Sequence, residues 1–327
     1  MNGPLLKVSD LKVHFPVKGG VLLRARDKNK AVDGITIHID NGETLGLVGE
    51  SGCGKSTLGK AVVRLLKPTA GTVEFDGQDI SNLSARALKP IRRNIQMIFQ
   101  DPAESLNSRH TIGNLIAEGF EIHKIGTATW RRQRVAELLE QVGLPTSAAE
   151  RYPFEFSGGQ RQRIGIARAI ALEPKLVVCD EPVSALDVSI QSQILNLLLD
   201  LQRDLGLSYL FVAHDLAVVK HISDRIAVMY LGHIMEIAGA DEVYAEPKHP
   251  YTRALIAAIP EPDPGRRGRA KIVLAGDVPS PIDPPSGCVF HTRCPHAEQK
   301  CSLEKPVLRD VFASDGVAHQ VACHFDL

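Results

Sequence analysis

At 327 residues the chain is long enough for two or three folding units with sizeable cores, which excludes a small disulfide scaffold. Its 38 Lys plus Arg balance 38 Asp plus Glu, so no net positive field argues for holding DNA or RNA by the phosphates, and nucleic acid is not expected as a partner. Met1 to Lys7 lack a basic region followed by an apolar run, and no stretch of about 18 uninterrupted apolar residues occurs, which predicts a soluble chain that is not exported.

In chain order, Leu6 to Phe15 and Ile35 to Ile39 alternate apolar and polar positions, the pattern of half-buried strands in an antiparallel section. The basic stretch between them, Lys18 to Lys30, reads as a solvated loop. Phe15 is the only aromatic residue ahead of Gly49 and so the one candidate there for stacking on adenine, with plain core packing as its alternative. Glu43 to Val48 reads as a buried strand. It leads into Gly49-Glu50-Ser51-Gly52-Cys53-Gly54-Lys55-Ser56-Thr57, which fits the phosphate-loop pattern of Gly, four residues, then Gly-Lys-Ser/Thr. A triphosphate needs many donors at close range, and backbone N–H groups bared by glycines ahead of a helix N-terminus supply them. Lys55 adds a positive charge for the β and γ phosphates, and the Ser56 hydroxyl suits Mg²⁺. Apolar spacing predicts a helix over Lys55 to Leu66, stopped by Pro68. These residues predict an ATP site.

Further strands are expected at Gly71 to Phe75 and Ile95 to Phe99, the latter ending at Gln100-Asp101-Pro102. Ligands of open α/β sheets sit beyond the C-terminal ends of strands, so Gln100 is a candidate contact to Mg²⁺ or to the attacking water. The texture then turns helical, with Thr111 to Phe120 and Ala128 to Val142 predicted as helices of an insert spanning about 101–170. Arg131, Arg132 and Arg134 on the second of these read as a solvated face.

Phe156-Ser157-Gly158-Gly159-Gln160 opens another predicted helix, Ile164 to Leu172, and is a second anion-binding helix start. Its Ser-Gly-Gly-Gln, about a hundred residues after a phosphate loop, resembles the signature motif of ATP-binding cassette (ABC) ATPases. Phe156 stands where that family usually carries Leu. Leu176 to Pro182 reads as an apolar strand ending in Asp180, which would hold Mg²⁺ largely through water, and Glu181, which would orient or deprotonate the attacking water. Ser184-Ala185-Leu186-Asp187 resembles the family's D-loop, with an N-cap for the predicted helix Val188 to Leu205 as its simpler reading. The predicted strand Leu207 to Ala213 ends at His214, which resembles the family's γ-phosphate-sensing histidine. Arg225 to Tyr230 and His233 to Ile237 are expected to close the cassette as a hairpin around Leu231-Gly232, with its boundary near residue 245.

Pro247 to Thr252, an apolar helix over Arg253 to Ile259 and the Pro-rich Pro260 to Pro264 resemble the C-terminal extension of oligopeptide and dipeptide permease ATPases. Four of the six cysteines, Cys288, Cys294, Cys301 and Cys323, fall in the last forty residues and read as one metal centre, with His291, His296 and His324 as substitute ligands. Their spacing is wider than paired zinc ligands usually show. The resemblance implies a 4Fe–4S cluster, with zinc or unliganded thiols as alternatives. Cys53 and Cys179 read as small buried hydrophobes.

The resemblance implies an α/β fold: an ABC ATPase cassette over residues 1–245, with a RecA-like α/β core, an antiparallel β section and a helical insert. A small Cys-containing extension covers 246–327. It implies an ATP-hydrolysing subunit for dipeptide or oligopeptide import, at the cytoplasmic face of the inner membrane. The signature would serve the ATP of a second cassette subunit, a paralogue. Two transmembrane permease subunits and an extracytoplasmic peptide-binding protein would complete the assembly. An importer for nickel or another small solute, and a soluble ABC ATPase acting on nucleic acid or ribosomes, remain alternatives.

Overall fold

The computed structural model describes residues 3–18, 25–259, 274, 276–312 and 318–326. They fall into two compact units: Met1–Ile39, Thr44–Ser81 and Ala213–Leu327 form the first, Asp40–Glu43 and Asn82–Val212 the second.

In the first unit, the alternation at the chain start produces a four-stranded antiparallel sheet in the order Ala25–Ile39, Leu6–Lys18, Ala70–Phe75, Gln78–Asp79. Leu6, Val8, Leu11, Val13, Val32 and Ile35 fill its inner face, the period-two burial of a sheet covered on one side. The pairing corrects one expectation. Lys28 and Lys30 are in strand register with Pro16 and His14 rather than in a loop, because both strands run on past the apolar alternation as a two-stranded ribbon. Residues 19–24 of the expected loop lie outside the described residues.

A second set of strands in this unit carries the phosphate-loop segment. Thr44–Val48, buried at every position, lies parallel to Arg225–Tyr230, which is antiparallel to His233–Gly239. Leu231 and Gly232 between them have φ of 41° and 77°, the positive pair that a tight hairpin of matching twist requires. Ala318–Val321 and then Arg309–Phe312 extend the order antiparallel, so the end of the chain is stitched to that hairpin. The helix Lys55–Val62 is shorter than the apolar spacing predicts. Arg64 takes φ 57° and donates to the carbonyls of Ile80 (2.8 Å) and Leu66 (3.1 Å), so tertiary hydrogen bonds replace the last helical turn.

Glu236 and His249 fasten the C-terminal extension within the same unit. Glu236 is fully buried and accepts from His319 Nε2 (2.6 Å) and from the backbone N–H groups of Lys248 (2.7 Å) and His249 (3.0 Å). Burial alone would raise its pKa, but these donors outweigh that and hold it below the ordinary glutamate value. His249 Nδ1 accepts the Tyr251 N–H (3.1 Å) at the start of the helix Pro250–Ala257, a role only the neutral ring can fill. The Pro-rich stretch Pro260 to Pro264 lies outside the described residues.

Burial pulls the pKa of His249, and of His233, from 6.5 to about 4. Between those values the unfolded chain binds protons that the folded chain refuses. Stability is therefore complete above pH 6.5 and falls as the pH drops towards 4, by up to about 3 kcal/mol per histidine. The melting temperature is expected to fall across that window, and His249→Asn, which keeps a capping acceptor without a titrating ring, should remove about half of the fall. A melting temperature constant from pH 6.5 to 4 would contradict the neutral histidines.

In the second unit the strands Ile95–Ile98, Leu176–Asp180 and Ser208–Ala213 run parallel, the last two buried throughout. Helices Ile112–Ile122, Ala128–Gln141 and Gly158–Ile170 make the expected helical insert. Its arginines are less free than a solvated face implies. Arg132 is exposed, but Arg131 donates to the Ile125 carbonyl (2.8 Å), and Arg134 pairs with Glu137 (3.1 Å) and Glu173 (3.0 Å).

Candidate nucleotide site

The phosphate loop follows directly from the buried strand Thr44–Val48 and turns where only glycine fits. A Cβ on Gly49 would stand 2.1 Å from the Met229 carbonyl oxygen, and one on Gly54, at φ 109°, 1.9 Å from that of Ala31. Gly54 is the N-cap of Lys55–Val62 and no side chain caps that end, so the first helical amides face the loop, with Ser56 and Thr57 in the first turn. Lys55 is buried, with Nζ 2.8 Å from the Gly49 carbonyl and 3.1 Å from that of Glu50. Its ammonium thus sits inside the curve that the loop makes. Ser51 and Gly52 form the exposed crest, and Cys53 packs beneath as the expected small hydrophobe, with burial raising its thiol pKa.

Two residues that sequence reading did not single out reach this loop. The Glu50 N–H donates to the Tyr251 hydroxyl at 2.9 Å, and Arg293 grips the Glu50 carboxylate through both terminal nitrogens at 2.7 and 3.2 Å. Separations of 201 and 243 residues left no local pattern that could have revealed them. Also in this unit, Phe15 is 37 % exposed on Leu6–Lys18, and His214 is exposed just after the end of Ser208–Ala213.

In the second unit the expected catalytic pair meets. Asp180 closes the buried strand Leu176–Asp180, and Glu181 follows at φ 46°, its N–H donating to the Val212 carbonyl at 2.9 Å. That left-handed conformation costs a non-glycine residue about 1–2 kcal/mol, the kind of local strain that structures keep where a side chain must point one way. Gln100 Nε2 donates to Glu181 Oε2 at 3.0 Å, across 81 residues of sequence. The D-loop follows, with the Ser184 hydroxyl on the Glu181 carbonyl (3.1 Å). Gln191, another residue missed in the sequence, donates to the carbonyls of Val183 and Leu186 at 3.0 Å each. Asp187 occupies the N-cap position of Val188–Leu205, yet its side chain makes no capping bond.

The signature segment forms a reciprocal cap. Ser157 Oγ accepts the Gln160 N–H (3.4 Å), and Gln160 Oε1 accepts the Ser157 N–H (3.0 Å). Gly159 packs on the D-loop helix, where a Cβ would stand 2.6 Å from Ile190 Cγ2. Phe156 is buried under the Arg151 guanidinium, 4.4 Å from the ring centroid, so the apolar position is filled by an aromatic ring.

The four C-terminal thiols, read from the sequence as one metal centre, lie in the first unit but, among the described residues, do not form one there. Cys288 and Cys301 are buried, Cys294 and Cys323 half-buried, and the Cys288 N–H donates to the Cys301 carbonyl at 2.7 Å. Burial, reinforced by the other three thiols, pushes Cys288 up to about 11. His291 Nδ1 and His324 Nε2 sit on the carbonyls of Cys288 (2.8 Å) and Glu304 (2.9 Å). Among the described residues no group of three or more His, Cys, Asp or Glu side chains is placed to hold a metal ion.

Comparison with known proteins agrees with this geometry. Residues 32–184 match the ABC transporter family, and residues 235–301 match the oligopeptide/dipeptide transporter C-terminal region. The chain is 54% identical to the oligopeptide transport ATP-binding protein AppF of Bacillus subtilis, over 98% of this chain and 97% of that one. It is also 54% identical to OppF of Salmonella typhimurium, over 98% and 95%. The ABC cassette MJ0796, solved as a dimer in a post-hydrolysis state bound to ADP and Pi, superposes with a TM-score of 0.65 at 29% identity, covering 72% of this chain and 98% of that one. With the cassette fold, the phosphate loop and the signature segment in place, the chain belongs to the ABC transporter ATPases, in the group that carries the oligopeptide/dipeptide transporter C-terminal region.

Proposed function

We propose that this chain is the ATP-hydrolysing subunit of an importer for dipeptides or oligopeptides, one of two cassettes seated on separate permease subunits at the cytoplasmic face of the membrane. The observation that carries the reading is the pairing of a cassette with the transporter-type extension, in a chain whose oligopeptide-transport relatives match it almost end to end. No helix among the described residues is long and apolar enough to cross a membrane, so the pathway itself falls to partner subunits.

In this reading the cassette covers residues 1–245 and the extension 246–327. The loop amides from Gly49 to Thr57 and the Lys55 ammonium bind the ATP phosphates, and Phe15 stacks on adenine. The oxygens of Ser56, Gln100 and Asp180 suit a hard cation, and Mg²⁺, when bound, would neutralise the phosphate oxygens. Glu181 takes the proton of the attacking water, Gln100 orients Glu181, and His214 contacts the γ phosphate. Phe156 to Gln160 serve the nucleotide of a second, paralogous cassette, with Ser184 to Asp187 beside that junction. A peptide-binding protein outside the membrane delivers the cargo.

A 4Fe–4S cluster on Cys288, Cys294, Cys301 and Cys323 belongs to the same proposal. It rests on the resemblance and on the four cysteines alone. Zinc would require its sulfurs to converge about 2.3 Å from one point, and no three candidate ligands among the described residues do so. The present arrangement therefore does not fit a single ion.

One purification tests both parts. Extracted from membranes without air, the chain should come down with two permease subunits and a second cassette, coloured and carrying iron with sulfide. Recovery with ribosomes or DNA and not with membranes would overturn the importer. A colourless product with no iron, or with zinc alone, would sink the cluster.

A further inference from the structure

We infer that Arg293, in the cysteine-bearing extension, is a positioning residue for the phosphate loop, which it serves by neutralising and orienting Glu50. The inference rests on the loop being the ATP site.

Glu50 is held at three points within one unit. Its N–H is fixed by the Tyr251 hydroxyl, its carbonyl by Lys55 Nζ, and its carboxylate by the two-pronged grip of Arg293. The Arg293 side chain is only 7 % exposed, and Glu50 27 %. Bidentate guanidinium–carboxylate pairs of this kind fix orientation as well as charge.

The electrostatic problem is local. Glu50 is the second residue of a loop whose purpose is to gather positive potential around a triphosphate. An uncompensated carboxylate there subtracts from that potential at short range, where screening is weak. Arg293 cancels it from the side of the extension. The Tyr230 hydroxyl, 3.5 Å from Arg293 Nη1, adds a polar neighbour.

Arg293 is itself anchored by the cysteine segment. It ends the short turn His291–Arg293, directly before Cys294, and its N–H donates to the Phe290 carbonyl at 3.0 Å. Phe290 is fully buried against Tyr230 and Tyr251, with ring centroids 5.3 Å away in each case. The same aromatic cluster therefore seats both residues that hold Glu50, and the extension reaches the loop through a packed core rather than a free side chain.

The test uses the full chain, with equilibrium binding of ATP and steady hydrolysis in the assembled transporter. Wild-type binding checks the site itself, and its absence would refute the ATP reading and the inference with it. Given wild-type binding, Arg293→Ala should raise the dissociation constant and KM for ATP about tenfold with kcat nearly unchanged, since the lost interaction acts alike on ground and transition states. The Arg293→Ala defect should shrink at high salt. Arg293→Lys should recover part of the loss by restoring charge without the fork. The double variant Glu50→Gln/Arg293→Ala should bind ATP better than Arg293→Ala, because the uncompensated carboxylate is gone. If Arg293→Ala fails to fold, Arg293→Lys and the double variant carry the comparison. Wild-type KM in folded Arg293→Ala, or a double variant no better than the single, would refute the positioning role and leave the ATP site standing.

Discussion

Glu181→Gln is expected to cut ATP hydrolysis at its own site about 10²–10⁴-fold, the contribution typical of a general base, measured in the assembled transporter with the second cassette's site disabled, while ATP binding persists. The substitution is close to isosteric. The glutamine amide oxygen can still accept from Gln100 Nε2, the 3.0 Å contact that orients Glu181, and the backbone at φ 46° is held by the bond to Val212 whichever side chain it carries. What disappears is the carboxylate proposed to take the proton. Turnover measured beside equilibrium nucleotide binding separates the two roles. A variant that hydrolyses at the wild-type rate would remove Glu181 as the base, and one that fails to bind would place its role in assembling the site.

Ser157→Asp should lower hydrolysis at the one site its signature serves by about 10²–10³-fold, the cost of losing one preorganised donor at developing charge, without lowering the melting temperature. Ser157 has two duties that this variant pulls apart. Its oxygen caps Gly158–Ile170 by accepting the Gln160 N–H, and Asp caps a helix about as well as Ser. The second duty, proposed above, is to face a phosphate, where Asp would bring repulsion. In assemblies with two distinguishable cassettes, Ser157→Asp on one and Lys55→Ala on the other should disable the same site and leave one working. Both changes on one cassette should disable both. The reverse pattern would show that signature and loop serve one nucleotide within a single chain, and the shared-site model would fail.

Much of the site was legible because its chemistry is local. Gly49 to Thr57 announces itself by glycine spacing, Asp180-Glu181 by two acids after an apolar strand, and Ser157 to Gln160 by glycines at a helix start. The helix Val188–Leu205 has the bounds its periodicity predicts. The ribbon through Lys28 and Lys30 was not legible, because alternation stops marking a strand once neither face is buried. The early end of Lys55–Val62 depends on Arg64 finding carbonyls supplied by the tertiary fold. Arg293 and Tyr251 lay beyond any window, since what joins them to Glu50 is a core assembled from three distant segments.

That long reach fixes an order of events during synthesis. The strand Thr44–Val48 pairs with Arg225–Tyr230, its first N–H bonds Asp224 at 2.7 Å, and the loop behind it waits for Tyr251 and Arg293. At about 5–20 residues per second, a ribosome delivers Arg293 roughly 10 to 50 s after Glu50. Residues 82–212, one unbroken stretch, can fold in that interval, while Glu50 still lacks Arg293. The phosphate loop is thus fully held only after the cysteine-bearing extension has been made, and nucleotide can reward that ordering no sooner.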